Sequence, residues 1–173
     1  CSSDLYVFDL DGTIYLGDTL LPGAKELIEK IRANGAKPIF LSNNPTKSPL
    51  DYVVKLKKLG IEASLEEVMN TVVAMVAWLN QYAKGKKIFA IAEKPLNDAL
   101  IEAGFELTDD PEKIEVVIAS YDREFTWKKF QIAFEALWFH KRAILVATNP
   151  DMFCPMPGGR GEVDAGAVIA ALE

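Results

Sequence analysis

The sequence predicts an α/β fold with parallel sheets, and three observations carry that prediction. Short apolar runs of strand length alternate with segments whose apolar residues recur at helical spacing. The alternation starts afresh near residue 72, so two units are expected. The chain of 173 residues is 50% apolar, enough to bury a core without disulfides or a structural metal.

The elements follow in order. Residues 4–9 read as the first strand, built on Leu5-Tyr6-Val7-Phe8. A helix follows Pro22-Gly23, with Ala24, Leu27, Ile28 and Ile31 on one face and Gly35 as its stop. Lys37 to Leu41 reads as the second strand and ends in the polar turn Ser42-Asn43-Asn44-Pro45. Ser48-Pro49 opens a second helix that Gly60 ends, and Ser64-Leu65-Glu66-Glu67 has the form of a capping box opening a helix or a short turn. Val68 to Thr71 is a third strand, and a helix carrying Val72, Val76 and Leu79 follows it.

The second unit repeats this grammar. Lys87 to Ala92, Glu115 to Ser120 and Ala143 to Ala147 read as strands, and Leu96 to Ala103 as a helix stopped by Gly104. Thr126 caps a long helix with Trp127, Phe130, Phe134 and Leu137 along one face, expected as buried core. Parallel strands need crossover helices, so both sheets should be covered on both faces. Gly158-Gly159-Arg160-Gly161 lacks the Gly-Lys-Ser/Thr ending of a phosphate loop and is expected to be a flexible connection. Asp164 to Glu173 begins an apolar helix that stops without a glycine or a basic last turn, as if cut short.

Composition excludes several function classes. A net charge of −6 argues against general nucleic-acid binding, which begins with phosphate neutralisation. Two small basic clusters, around Lys55, Lys57 and Lys58 and around Lys84, Lys86 and Lys87, read as solvated faces. The apolar runs are too short to span a bilayer. Two cysteines, Cys1 and Cys154, give no disulfide framework or cysteine-rich zinc site. The sole histidine, His140, rules out multi-histidine metal sites and most histidine-based triads and reads as a cap or surface residue. Cys1 has the form of a mature lipoprotein start, but it leaves almost no tether before the first strand. A replaced or trimmed start and a cytoplasmic location are the expectation.

The chemistry concentrates where strands end. Side chains alternate along a strand, so Asp9 and Asp11 should face one point just beyond the first strand. Two carboxylates so placed repel unless a cation or a shared proton settles the conflict. Gly12 permits a tight bend, and Thr13 adds a hydroxyl. Ser42, Asn43 and Asn44 close the second strand. In a parallel sheet, ligands bind beyond the carboxyl ends of strands. Oxygens for a hard cation and donors for phosphate oxygens therefore meet there. A calcium loop is the rival reading of Asp-x-Asp-Gly, but it needs an acid at its twelfth position, here Leu20, and a helix before it.

Val7 to Tyr15, with its Asp9-Leu10-Asp11-Gly12-Thr13, resembles the first motif of the haloacid dehalogenase superfamily, and Leu41-Ser42-Asn43-Asn44 resembles the second. Tyr121 to Thr126 and Ala147 to Asp151 are similar to the branch of NagD-like, p-nitrophenylphosphatase, phosphoglycolate phosphatase and pyridoxal phosphatase enzymes. The resemblance implies a Rossmann-like core in residues 1–71, an inserted α/β cap in 72–155 and a connection returning to the core in 156–173. It implies a magnesium-dependent phosphatase of small phosphorylated metabolites, with no nucleic-acid or membrane partner. Asp9 would be the nucleophile that forms an aspartyl-phosphate, and Asp11 the acid/base. Mg2+ would sit on the Asp9 carboxylate and the Asp11 carbonyl, and Ser42, Asn43 and Asn44 would grip the phosphoryl oxygens. Asp122-Arg123 and Asn149 to Asp151 are open to substrate contact or to structural turn roles. A homodimer through the cap is compatible with the resemblance.

The family's third-motif lysine and fourth-motif carboxylates are not recognisable. Without the strand that adjoins the first one in the family, Tyr6-Val7-Phe8 would lie on an open apolar edge. The chain is therefore expected to be an incomplete copy and, alone, a poor catalyst. A non-catalytic binding module and a phosphotransferase are the alternatives.

Overall fold

The computed structural model describes residues 4–156 and 158–173. Cys1 lies outside the described residues. The chain forms two compact units, residues 1–43 with 47–70 and residues 44–46 with 71–173.

In the first unit, β1 (Leu5–Asp9) leads through a tight loop into the hairpin β2 (Tyr15–Leu16) and β3 (Thr19–Leu20). Then come α1 (Ala24–Ala33), β4 (Lys37–Ser42), α2 (Pro49–Lys58), a 3-10 turn at Leu65–Glu67 and β5 (Val68–Asn70). The sheet is parallel, in the order β1-β4-β5. Both capping-box motifs form. Ser48 receives Asp51 N–H and Asp51 receives Ser48 N–H, with Pro49 at the first helical position, while Ser64 and Glu67 cap the 3-10 turn. Arg32 of α1 forks onto both oxygens of Glu67 at 2.9 and 2.8 Å, tying the helix to that turn. Leu10, Ile14, Tyr15, Ile28, Phe40, Tyr52 and Leu56 fill the core.

The second unit begins with α3 (Thr71–Tyr82), followed by β6 (Lys87–Ile91), α4 (Lys94–Glu102), β7 (Glu106–Leu107) and β8 (Val116–Ala119). Next are α5 (Trp127–Phe134), whose Thr126 cap accepts Lys129 N–H, a π-helical stretch at Glu135–Phe139, and β9 (Ile144–Ala147). His140 closes the π stretch as its C-cap. The sheet is parallel, in the order β7-β6-β8-β9. The unit ends with the hairpin β10 (Phe153–Met156) and β11 (Arg160–Val163), then α6 (Ala165–Leu172).

Three expectations need correction, and three short strands were not foreseen. Gly158 and Gly159 are the turn of the β10–β11 hairpin, both at positive φ, and Arg160-Gly161 begins its second strand, so this stretch is not a flexible connection. The aromatic face after Thr126 is only partly core. Phe130, Phe134 and Leu137 pack on a buried cluster around Ile91, Val117 and Ala136, but Trp127 is 73% exposed. Trp127 is the first residue of α5, at the helix end, and its ring lies 5.6 Å from that of Phe130. Lys55 is half-buried over an aromatic ring, not on a solvated face. The short strands of the β2–β3 hairpin and β7 carry too few residues to show a period in sequence.

Candidate active site

β1 and β4 run side by side in register, with Asp9 opposite Leu41, so the ends of the two motif strands meet. Ser42 closes β4 opposite Asn70, the last residue of β5. Asn70 donates to the Lys47 carbonyl at 2.7 Å, fastening the chain beyond β4 to the strand ends.

The loop after β1 closes on one carbonyl. Thr13, Ile14 and Tyr15 N–H all converge on Leu10 O, at 3.3, 3.0 and 3.3 Å, while Gly12 N–H reaches Tyr15 O at 2.7 Å. Gly12 sits at φ 85°, in the left-handed region open to a residue without Cβ. Leu10 is wholly buried between exposed Asp9 and Asp11, as strand alternation requires. Among the described residues, neither carboxylate takes part in an ion pair within 4 Å.

Two buried tyrosines face this loop. Tyr15 donates to Asp11 Oδ2 at 3.4 Å, and the Tyr52 hydroxyl lies 2.8 Å from Ser42 Oγ. Burial pushes the Tyr15 hydroxyl far above its ordinary range, with Asp11, Tyr52 and Asp9 adding in the same direction. Tyr52 is pushed up to about 12 by burial, against the opposing hydrogen bond to Ser42, with Asp11, Asp51 and Asp9 raising it further. Asp11 and Asp9 thus both raise the same two phenols.

Lysines cover the rings. Lys55 Nζ lies 3.8 Å from the Tyr15 ring centroid, and Lys47 Nζ lies 5.8 Å from that of Tyr52. Burial lowers Lys55 below the usual lysine range and Lys47 lowers it further, against the pull of Asp11 and Asp18. Tyr52, Lys47 and Asn70 were not singled out from sequence, Lys55 was read only as part of a solvated basic cluster, and Tyr15 only as the end of the first motif. Tyr52 and Leu56 one turn apart gave a core signal, but nothing in the pattern pointed the phenol at Ser42.

Asn43 is exposed where the first unit leaves β4. Asn44 Oδ1 accepts from Thr46 N–H at 2.8 Å and from the Thr46 hydroxyl at 2.7 Å, an Asx-type turn within the second unit.

Of the other strand-end residues, Asp122 is fully enclosed and accepts from Lys129 at 2.6 Å, and Arg123 forks onto Glu93 at 2.6 and 2.8 Å. Tyr121 donates to Glu162, Asn149 donates to Asp164 at 3.3 Å, and Thr148 donates to Ser120 at 3.0 Å. These contacts lie within the second unit and serve as its internal ties. No helix of the described residues is long and apolar enough to cross a membrane.

The stretch that carries this carboxylate pair and the neighbouring strand, residues 6–106, more than half of the chain, matches the family model for haloacid dehalogenase-like hydrolases. The chain belongs to the haloacid dehalogenase-like hydrolase family. Its relatives place it in the NagD-like and p-nitrophenylphosphatase branch. It is 32% identical to the acid sugar phosphatase of Staphylococcus aureus over 154 residues, 89% of this chain and 58% of that protein. Its structure resembles that of a 4-nitrophenylphosphatase from Thermotoga maritima, with TM-score 0.89 and 27% identity, over 99% of this chain and 64% of that one. It also resembles NagD from E. coli K-12, with TM-score 0.83 and 26% identity, over 99% of this chain and 64% of that one. The chain thus spans about three fifths of the length of the curated relatives it matches.

The donor set fits a hard cation in part. Among the described residues there is no group of three or more acidic, histidine or cysteine side chains able to hold a metal. Magnesium, however, is commonly held by one or two carboxylates, with waters and phosphate oxygens completing its shell. Two acids that form no ion pair within 4 Å among the described residues meet that minimal requirement.

Proposed function

We propose that the protein hydrolyses small phosphate monoesters through an aspartyl-phosphate on Asp9. The observation that carries this reading is the pair of exposed carboxylates at the end of β1, beside Ser42 at the end of the adjacent β4. The Asp9 carboxylate attacks phosphorus, and the P–O bond to the leaving alcohol breaks as Asp11 gives that oxygen a proton. Asp11 then takes a proton from the water that cleaves the acyl phosphate, releasing orthophosphate and restoring Asp9. Ser42 and Asn43 hold phosphoryl oxygens, with the Asn44 turn beyond them. Bound to the Asp9 carboxylate and the Asp11 carbonyl, Mg2+ would supply positive charge between carboxylate and phosphate. The names of the relatives favour sugar phosphates and aryl phosphates as first substrates to try. Action in the cytoplasm and a homodimer through the second unit belong to the same reading.

The test is magnesium-dependent release of p-nitrophenol from p-nitrophenyl phosphate by the full-length protein. Asp9→Asn is expected to remove turnover entirely, because the amide cannot act as the nucleophile. Undiminished turnover by that variant would exclude the mechanism.

A further inference from the structure

We propose that Tyr52 is a positioning residue for the phosphoryl group, its phenol donating to Ser42 Oγ and so setting the direction in which the serine hydroxyl offers its own proton. This rests on the phosphatase reading and adds to it a residue outside the two motifs.

The two oxygens are 2.8 Å apart, with Ser42 8% and Tyr52 0% exposed. Either atom has the geometry to donate. A phenol is the stronger acid, so the favoured arrangement has Tyr52 as donor and serine as acceptor. A serine hydroxyl carries one proton and two lone pairs, so accepting from Tyr52 leaves its proton uncommitted to the tyrosine. Burial holds the phenol protonated up to about pH 12, which keeps it a donor throughout the neutral range.

The tyrosine is itself rigidly placed. The Ser48–Asp51 capping box and Pro49 fix the first turn of α2 just before it. Its ring packs in the core with Phe40 and Leu56, and Lys47 lies near the ring face. A hydroxyl anchored this way constrains its partner without touching substrate. Pre-orientation lowers the cost of ordering Ser42 when phosphate binds, so its loss should appear in binding rather than in the chemical step.

The experiment is a double-mutant cycle in the full-length protein with Mg2+ and p-nitrophenyl phosphate. Tyr52→Phe keeps the buried ring and removes one oxygen. It should raise KM, and the inhibition constant of orthophosphate, by about three- to tenfold while kcat stays within about twofold. In a Ser42→Ala background the same substitution should add nothing. A purely structural tyrosine would lower the thermal midpoint and leave KM unchanged. An unchanged KM, or an effect that persists without the serine hydroxyl, overturns the proposal. Should the wild-type protein fail to turn over p-nitrophenyl phosphate, the phosphatase reading falls, and calorimetric titration with orthophosphate decides the positioning role separately. Weaker binding in Tyr52→Phe only when Ser42 is present supports it. Unchanged binding, or no binding by the wild type, overturns it.

Discussion

β1 and β8 are both short, apolar, parallel strands that end in Asp-containing loops, yet the molecule treats them in opposite ways. β8 is an inner strand of its sheet, and Val116, Val117, Ile118 and Ala119 are all 0% exposed. β1 lies at an edge of its sheet among the described residues, with Leu5, Tyr6 and Val7 exposed, Val7 at 58%. Beyond β8, Asp122 is enclosed and paired with Lys129, and Arg123 is held by Glu93. At the end of β1, Asp9 and Asp11 are exposed and take part in no ion pair within 4 Å among the described residues. A charge matched inside its own unit stabilises that unit, whereas an unmatched one is available to bind and react. Similar sequence signals thus mark a structural joint at one strand end and the proposed chemical site at the other.

The largest expected difference lies in the strands themselves. Ile118→Ala should destabilise the protein by about 3 kcal/mol, since the cavity it leaves is fully enclosed. In the 173-residue chain, where β1 is at the sheet edge, Val7→Ala should cost less than about 0.5 kcal/mol. Urea unfolding of both variants measures the contrast, and equal losses would break it. The strand-end acids should differ next. Asp122→Asn should cost about 2 kcal/mol, because Lys129 loses its charged partner in an enclosed place. Asp11→Asn, which relieves a repulsion, should not lower stability while it abolishes hydrolysis of p-nitrophenyl phosphate. Thermal midpoints read beside turnover separate the two roles.

The smallest effect is a pH dependence. The Arg123 guanidinium bonded to Glu93 holds that carboxyl below its usual range, against the opposing effect of burial. A depressed carboxylate contributes stability above its unfolded value of roughly 4.3, and that contribution is lost as pH falls through the folded value. Glu93→Gln should therefore destabilise at pH 7 and have progressively less effect as the pH drops below about 4. Thermal midpoints of wild type and variant across pH 3–7 should converge at the acid end. A constant gap would remove the ion pair as the cause.

Much of the fold was legible because its signals are local. Ser48-Pro49 with Asp51, Ser64 with Glu67 and Thr126 announced their helix and turn starts through hydrogen bonds that span three residues or fewer. The β2–β3 and β10–β11 hairpins were not legible, because Gly17 and Gly158-Gly159 sit between runs too short or too mixed to show alternation. Trp127 belonged to an apolar helical stripe by spacing, and only the packing of α5 showed that this end of the stripe reaches solvent. At the site, Asp9 and Ser42 stood out because each ends a strand, and Asp11 because it lies two residues beyond the first. Tyr15, Tyr52 and Lys55 did not, since an apolar-face tyrosine and a helix lysine look the same whether or not a carboxylate lies nearby.

By itself the sequence determined the parallel α/β layout and the pair of acids at the end of the first strand, consequences of period, caps and short-range spacing. Only the tertiary structure decided which acids are neutralised and which are left unpaired. It alone put the Tyr52 phenol on Ser42 and the Lys55 ammonium on the Tyr15 ring. Those pairings join residues 10 and 40 positions apart in the chain. Charge pairing and burial depend on distance in space, and spacing along the chain does not encode that distance once strands and helices pack.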